Sequence, residues 1–281
     1  MRVLVTGGSG FIGGHVVARL RGQGHEPVLF DRHAQTGSEV FLGDVRDYAG
    51  VDAAVGDCDG VIHLAAVLGT QESLGAIDTA VNVNVNGSLN VFNAVRRYGL
   101  PAVYIAVGNH WMNNPYSISK TTAERFALMF NKEFGTTIAV VRAYNAYGPG
   151  QKAGPVRKII PNFIIPALRD EELIVYGDGS QVMDMIYVGD VASILVRALG
   201  QCVVIEAGTG RHTTVRQIAE LVCEIVGRGR IVHVPMRPGE PPGSVVVAPE
   251  PLSSDVVPLE EGLRLTIPYY ERLESSHLVS V

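Results

Sequence analysis

The chain has 281 residues, 47% of them hydrophobic and 18% charged, with a formal net charge of −5. That length suits one large α/β unit, or one unit plus a small lobe, and the composition excludes a disordered chain. Basic residues are neither in excess nor clustered and no apolar run approaches a membrane span, so neither a nucleic-acid partner nor a membrane partner is expected.

The first element is a short apolar run, Val3-Leu4-Val5, of the kind that forms a buried parallel strand. Glycines follow at Gly7, Gly10 and Gly13, and a helical pattern then runs to about residue 22. A second apolar run, Pro27 to Phe30, ends in Asp31. Up to about residue 145 the pattern alternates, with strands expected at 2–6, 27–31, 39–42, 60–64, 102–107 and 137–143. Helices are expected at 11–22, 48–55, 78–98 and 116–134. This alternation predicts an α/β fold: a Rossmann-type, doubly wound parallel sheet with ligands at the carboxyl ends of its strands. Beyond about residue 150, prolines interrupt shorter strands (173–176, 182–187, 203–206, 231–234) and helices (157–169, 189–199, 214–227). We read 1–150 as the dinucleotide-binding domain and 151–281 as a smaller α/β substrate-binding lobe, with the chain returning to the first domain around 182–200. The Pro- and Gly-rich segment Pro235 to Pro258 reads as loop. Three cysteines, Cys58, Cys202 and Cys223, have no zinc-ligand spacing and read as small hydrophobes, so no metal is expected. The first strand begins at the N-terminus, which predicts no signal peptide, and a cytoplasmic location is expected.

Strand, glycine turn and helix together form a dinucleotide-binding pattern. Gly7 permits the tight turn, Gly10 lets backbone approach a pyrophosphate, and Gly13 lets the helix pack on the strand. The helix N-terminus, with Phe11 and Ile12, then offers N–H groups and a partial positive charge. Asp31 lies about 20 residues on, where a ribose hydroxyl partner belongs, and its carboxylate favours NAD over a 2′-phosphorylated cofactor. A second constellation is Tyr116-Ser117-Ile118-Ser119-Lys120. Four residues apart on a helix, Tyr116 and Lys120 share a face. An ammonium beside the phenol is expected to lower its pKa from near 10, which makes Tyr116 a general acid/base for a hydroxyl.

These motifs, with Gly43-Asp44-Val45, His63-Leu64-Ala65-Ala66, Asn84-Val85-Asn86-Gly87, Arg142 to Pro149, Gly177 to Gln181, Ile186 to Ala192 and Arg237 to Glu240, resemble the extended short-chain dehydrogenase/reductase family. Within it, the chain resembles the NAD-dependent nucleoside-diphosphate-sugar epimerases and dehydratases. The resemblance implies cofactor contacts at Asp44, Val45, Leu64, Ala65, Ala66, Asn84, Tyr116, Lys120 and Tyr144. It implies sugar-nucleotide contacts at Asn145 and Arg237, the latter suited to a diphosphate. The side chain of His63 is read as core. The helices at 78–98 and 116–134 resemble the pair that forms a four-helix homodimer interface in this family. Their apolar residues Val91, Phe92, Val95, Phe126, Leu128, Met129 and Phe130 fit either core or subunit contact.

The chain departs from the family pattern at several positions. The strand 102–107 leads into Gly108-Asn109, where the family carries a serine or threonine that bonds the reacting hydroxyl. Asn109 is the polar substitute; an amide donates but does not relay a proton. Only His110 to Pro115 separate Asn109 from Tyr116, a short segment for this family. Met183 stands where an arginine precedes Asp184, and Asn109-His110 replaces the acid pair of hexose 4,6-dehydratases. The first expectation is therefore an NAD-dependent epimerase of a UDP- or dTDP-hexose, of the 4-epimerase type, working through a transient keto-sugar. The alternatives are an NAD(P)H-dependent ketoreductase of a deoxysugar nucleotide and a cofactor-binding protein with weak or no catalysis. The catalytic candidates are Tyr116, Lys120 and Asn109.

Overall fold

The computed structural model describes residues 1–33, 39–236, 245–249 and 256–278. By packing, the chain divides into two compact units: Met1–Ala143 with Val191–Ala207, and Tyr144–Asp190 with Gly208–Val281.

The first unit is built on a seven-stranded parallel sheet. From one edge to the other its strands are Val204–Ala207, Thr137–Ala143, Pro101–Val107, Gly60–His63, Arg2–Thr6, Glu26–Asp31 and Glu39–Leu42. The chain starts in the interior of the sheet at Arg2–Thr6, moves outward twice, then returns to the other side at Gly60–His63. That reversal opens a crevice at the carboxyl ends of these two strands, next to the glycine turn. The strands are apolar because both faces are covered. Alternate residues Leu4, Val28, Val61 and Tyr104 pack with Val91, Phe92, Val95, Ala123 and Phe130 in one core, while Val3, Val5, Leu29 and Ile62 are buried on the opposite face. Val91, Phe92, Val95 and Phe130 are thus core residues; Leu128 is exposed, and Phe126 and Met129 are half-buried.

The helix expected at 78–98 is three pieces: Ile77–Ala80, a π-helical turn Val81–Asn86, and Gly87–Tyr98. The wider turn buries Val83, Asn84 and Val85 in succession. A regular 3.6-residue period does not bury three neighbours, so the hydrophobic pattern carried no trace of this turn.

In the second unit, Asn145–Tyr147 pairs in parallel with Met185–Tyr187, and Glu172–Tyr176 with Arg230–Val234. Val182–Met183 pairs with Thr213–Thr214 and with Val245–Val246. The single strand expected over 182–187 is therefore two strands with different partners, divided at Asp184. That residue is fully buried, and its carboxylate accepts the N–H of Thr209 (2.8 Å), Gly210 (2.8 Å) and Ala248 (3.2 Å) and the hydroxyl of Thr209 (2.5 Å). Tyr147, Ile160, Phe163, Ile164, Leu173, Ile218 and Val222 form the core, closed by Leu263, Ile267 and Tyr270 of a C-terminal helix, Leu259–Leu278. Sequence reading missed that helix because Pro268 lies inside it. The loop expected over Pro235 to Pro258 holds the strand Val245–Val246; residues 237–244 and 250–255 lie outside the described residues.

Candidate active site at the glycine turn and the Tyr116 helix

The strand Arg2–Thr6 ends at Gly7, whose φ of +70° suits glycine. A Cβ there would lie 2.9 Å from Cα and N of Ala65, so the two backbones touch. A Cβ at Gly13 would lie 2.4 Å from the Gly7 carbonyl oxygen, which fixes the helix Phe11–Gly22 against the turn. That helix opens at Gly10 with no side-chain cap and no acidic residue in its first turn. Asp31, at the end of its strand, braces the turn: one carboxylate oxygen accepts the Ser9 N–H (3.0 Å) and the other the His33 N–H (3.2 Å). Each oxygen retains a further lone pair for a hydroxyl donor.

Asp44 is engaged by its neighbour Arg46 through two guanidinium bonds (2.9 and 2.7 Å) and the Arg46 N–H (2.9 Å), which hold its carboxyl below the usual range. Val45 is buried. Leu64, Ala65 and Ala66 are half-buried just past the strand Gly60–His63. The N–H groups of Leu64 (3.1 Å) and Ala65 (3.2 Å) donate to the Thr6 hydroxyl oxygen.

The Thr6 hydroxyl contacts His63 Nδ1 at 2.6 Å, and His63 Nε2 contacts the Ser88 hydroxyl at 2.9 Å. Ser88 spends its proton on the Asn84 carbonyl (2.7 Å), so it accepts from His63. His63 is then the neutral Nε2–H tautomer, accepting at Nδ1 from Thr6. Burial, with Lys120 nearby, pushes its pKa down to about 3. Its side chain is core, as the sequence suggested.

Asn84, fully buried in the π turn, uses its whole side chain inside the protein. Its oxygen accepts the Val67 N–H (2.9 Å), and its amide donates to the Val67 carbonyl (3.1 Å) and the Ser119 hydroxyl oxygen (3.0 Å). Ser119 in turn donates to the Tyr116 carbonyl (3.0 Å). Asn84 therefore ties the segment after His63 to the helix that carries Tyr116 and Lys120.

That helix, Pro115–Phe134, starts where Asn114 accepts the Ser117 N–H (2.9 Å) and Pro115 occupies the first turn. Lys120 is buried, its ammonium nitrogen 4.2 Å from the centre of the Tyr104 ring, and the Tyr104 hydroxyl donates to the Lys120 carbonyl (3.0 Å). Desolvation pushes Lys120 down to about 7, opposed by the charge of Glu124. Tyr116 is pushed up to about 12 by burial. This reverses the expectation of a lowered phenol: losing water penalises the phenolate, and a lysine near 7 is only partly charged at neutral pH. Asn109 holds Met112 Sδ with its amide (3.3 Å) and accepts from the Ser117 hydroxyl (3.3 Å). Trp111, in the short segment, is exposed.

In the second unit, Asn145 donates to the Asp184 carbonyl through both its main chain and its side chain (3.1 Å each). Tyr144 is half-buried in the same unit. Arg237 lies outside the described residues. Sequence reading missed the Thr6–His63–Ser88 relay, the bridging by Asn84, the hub at Asp184, and an ion triad of Glu124, Arg142 and Glu206. Only Glu124 left a signal, its four-residue spacing from Lys120.

The family model for the NAD dependent epimerase/dehydratase family matches residues 3–210 of the chain. The chain is similar to the UDP-glucose 4-epimerase of Thermotoga maritima, solved with UDP-glucose (29% identity, 98% of this chain and 100% of that one, TM-score 0.90). It is similar to the UDP-glucose 4-epimerase of Thermus thermophilus, solved with NAD (29% identity, 96% of this chain and 99% of that one, TM-score 0.86). It is also 27% identical to a UDP-N-acetyl-alpha-D-glucosaminuronate decarboxylase of Bacillus cytotoxicus, over 98% of this chain and 99% of the relative.

Proposed function

Because the chain belongs to the NAD dependent epimerase/dehydratase family, whose cofactor is NAD, we propose that this enzyme is a 4-epimerase of a UDP- or dTDP-hexose. The observation that carries the reading is the helix Pro115–Phe134, which carries the half-buried Tyr116 one turn before the buried Lys120 in the unit that holds the glycine turn. Likeness to two UDP-glucose 4-epimerases over nearly the whole chain supports it.

The residues present fit a dinucleotide. At Gly13 a side chain would strike the turn's own backbone, and the uncapped helix at Gly10 suits a pyrophosphate. Asp31 would accept ribose hydroxyls. Leu64, Ala65 and Ala66 would line the cofactor with backbone, Asp44 and Val45 would flank its adenine end, and Tyr144 would pack near its nicotinamide. When bound, NAD supplies a hydride acceptor with a positively charged ring. Tyr116, a phenol in the protein alone, exchanges the proton of the sugar hydroxyl at its Oη, and Lys120 favours the phenolate form while it is charged. Asn145 and Arg237 would hold the sugar nucleotide. Asn84 acts by holding Val67 and Ser119 in place. A homodimer through the helices Gly87–Tyr98 and Pro115–Phe134 is part of the proposal; Ile118, Leu128 and Phe134 are exposed on the second of these.

The test is incubation of the NAD-loaded protein with a panel of nucleotide sugars. Interconversion of a UDP- or dTDP-hexose without net NADH is expected; an unchanged panel refutes the proposal. One observation favours a second reading, reduction of a keto-deoxysugar nucleotide: Asn109 stands in the family's hydroxyl position, and an amide can polarise a carbonyl but not pass on a proton. Stoichiometric NADH consumption with a keto-sugar would select it.

A further inference from the structure

Tryptophan is on average a deeply buried side chain, yet Trp111, the chain's single tryptophan, is 52% exposed. Leu68 is 48% exposed. Leu68 follows the strand Gly60–His63, and Trp111 follows that strand's parallel neighbour Pro101–Val107. Both therefore leave the sheet at its carboxyl edge, where ligands of such sheets bind. Hydrogen bonds hold both segments. The Asn109 carbonyl accepts the Met112 N–H (3.0 Å), closing a turn with His110 and Trp111 at its tip. Asn109 also accepts the Ser117 hydroxyl (3.3 Å), which folds the segment back onto the residue next to Tyr116. Val67 is held by Asn84 at its N–H (2.9 Å) and its carbonyl (3.1 Å), and Asn84 reaches Ser119 (3.0 Å). Trp111 and Leu68 are thus tethered, from two adjacent strands, to the start of the helix that carries Tyr116. From Leu64 to Val81 and from Gly108 to Ser119 the chain holds no lysine or arginine. A diphosphate meets no such cation on either segment, whereas the C–H face of a hexose ring matches an indole.

We propose that Trp111, with Leu68 on the neighbouring segment, is the apolar platform on which the hexose ring of the nucleotide sugar lies while its hydroxyl faces Tyr116. Trp111 is a binding and specificity residue; it exchanges no proton. The proposal rests on the reading above, which supplies a nucleotide hexose as the ligand. It also accounts for the short segment between Asn109 and Tyr116. One large side chain at the tip of a pinned turn covers the ring in place of a longer run of residues.

Because Trp111 is the only tryptophan, tryptophan emission of the NAD-loaded protein reports on this position alone. UDP-glucose or dTDP-glucose is expected to change the emission saturably, and UDP or dTDP without the sugar to change it little. Trp111→Ala should raise the Kd for the same sugar nucleotide by calorimetry, and its KM, about three- to tenfold. Its kcat and its affinity for the bare nucleotide should stay close to those of the unaltered protein, because the ring contact serves ground state and transition state alike. Trp111→Phe should recover most of the loss. An emission change that is equal with and without the sugar, or an unchanged Kd in Trp111→Ala, overturns the proposal. Turnover by Trp111→Ala at an unaltered KM would refute the platform and leave the epimerase reading standing. A saturable, sugar-dependent emission change in a protein that forms no epimer would refute the epimerase reading and leave the platform. Failure of both hexose nucleotides to bind by calorimetry would refute both.

Discussion

The hydroxyl of Thr6 donates to Nδ1 of His63 across 2.6 Å, inside the sheet, between two strands paired in register. The bond sets the histidine tautomer and joins the glycine turn to the segment Leu64–Ala66. Burial, with the charge of Lys120 nearby, keeps His63 neutral in the fold, its pKa pushed down from 6.5 to about 3.

Acid should therefore destabilise the first unit earlier than carboxylate protonation alone would. In the unfolded chain His63 takes a proton near its ordinary value, while in the fold it does not. The unfolded state binds more protons between these values, so the contribution is fully present above about pH 6.5 and is lost as pH falls toward 3. The slope approaches about 1.4 kcal/mol per pH unit. Urea unfolding from pH 7 to pH 4 should show it, and His63→Gln should flatten it.

Gly13→Ala places a methyl carbon 2.4 Å from the Gly7 carbonyl oxygen and 2.7 Å from that of Gly8. These are backbone atoms in a tight turn, so relief requires moving the helix. A loss of about 1–3 kcal/mol is expected from overpacking of this kind. NAD affinity measured by calorimetry should fall with it. In contrast, Gly14→Ala, within the same helix, where a Cβ meets nothing within 4 Å, should not destabilise the fold.

Tyr116→Phe removes the proposed proton carrier and leaves the helix intact, since the bonds that start and anchor this helix run through Asn114, Ser117 and Ser119 and through the Tyr116 carbonyl. Turnover is expected to fall by roughly 10²–10⁴-fold with the unfolding midpoint unchanged. Steady-state kinetics and thermal unfolding of the same preparation check both halves.

Asp184→Ala strands the N–H groups of Thr209, Gly210 and Ala248 that its carboxylate now accepts. Each buried orphan costs about 1–3 kcal/mol. Loss of cooperative folding in the second unit is the expected outcome. Hydrogen exchange should show it at Val182–Tyr187 and Thr209–Thr214, with the first unit's sheet still protected.

The sheet was legible because a parallel strand covered on both faces must be apolar, as Val3-Leu4-Val5 and Val103 to Val107 are. The glycine turn was legible because backbone contact at Gly7 and Gly13 excludes every other residue type. Tyr116 and Lys120 were legible from their helical spacing taken together with the glycine turn upstream. Their protonation was not, because desolvation depends on what the fold stacks above and below them. Spacing suggested a lowered phenol; burial raises it. The helix Leu259–Leu278 was hidden by one internal proline. The division of 182–187 at Asp184 was hidden because its partners lie in segments far along the chain. Asn84 drew notice as a cofactor contact, whereas in the protein its side chain joins Val67 to Ser119.

The most direct test of the proposed reaction follows one atom. UDP-glucose carrying deuterium at C4 is incubated with the NAD-loaded enzyme, and the product is read by NMR. A 4-epimerase that returns the same hydride to the opposite face yields UDP-galactose with deuterium retained at C4 and no accumulated NADH. Washed-out label, accumulating NADH, or UDP-glucose and its dTDP counterpart both recovered unchanged would contradict the proposed reaction.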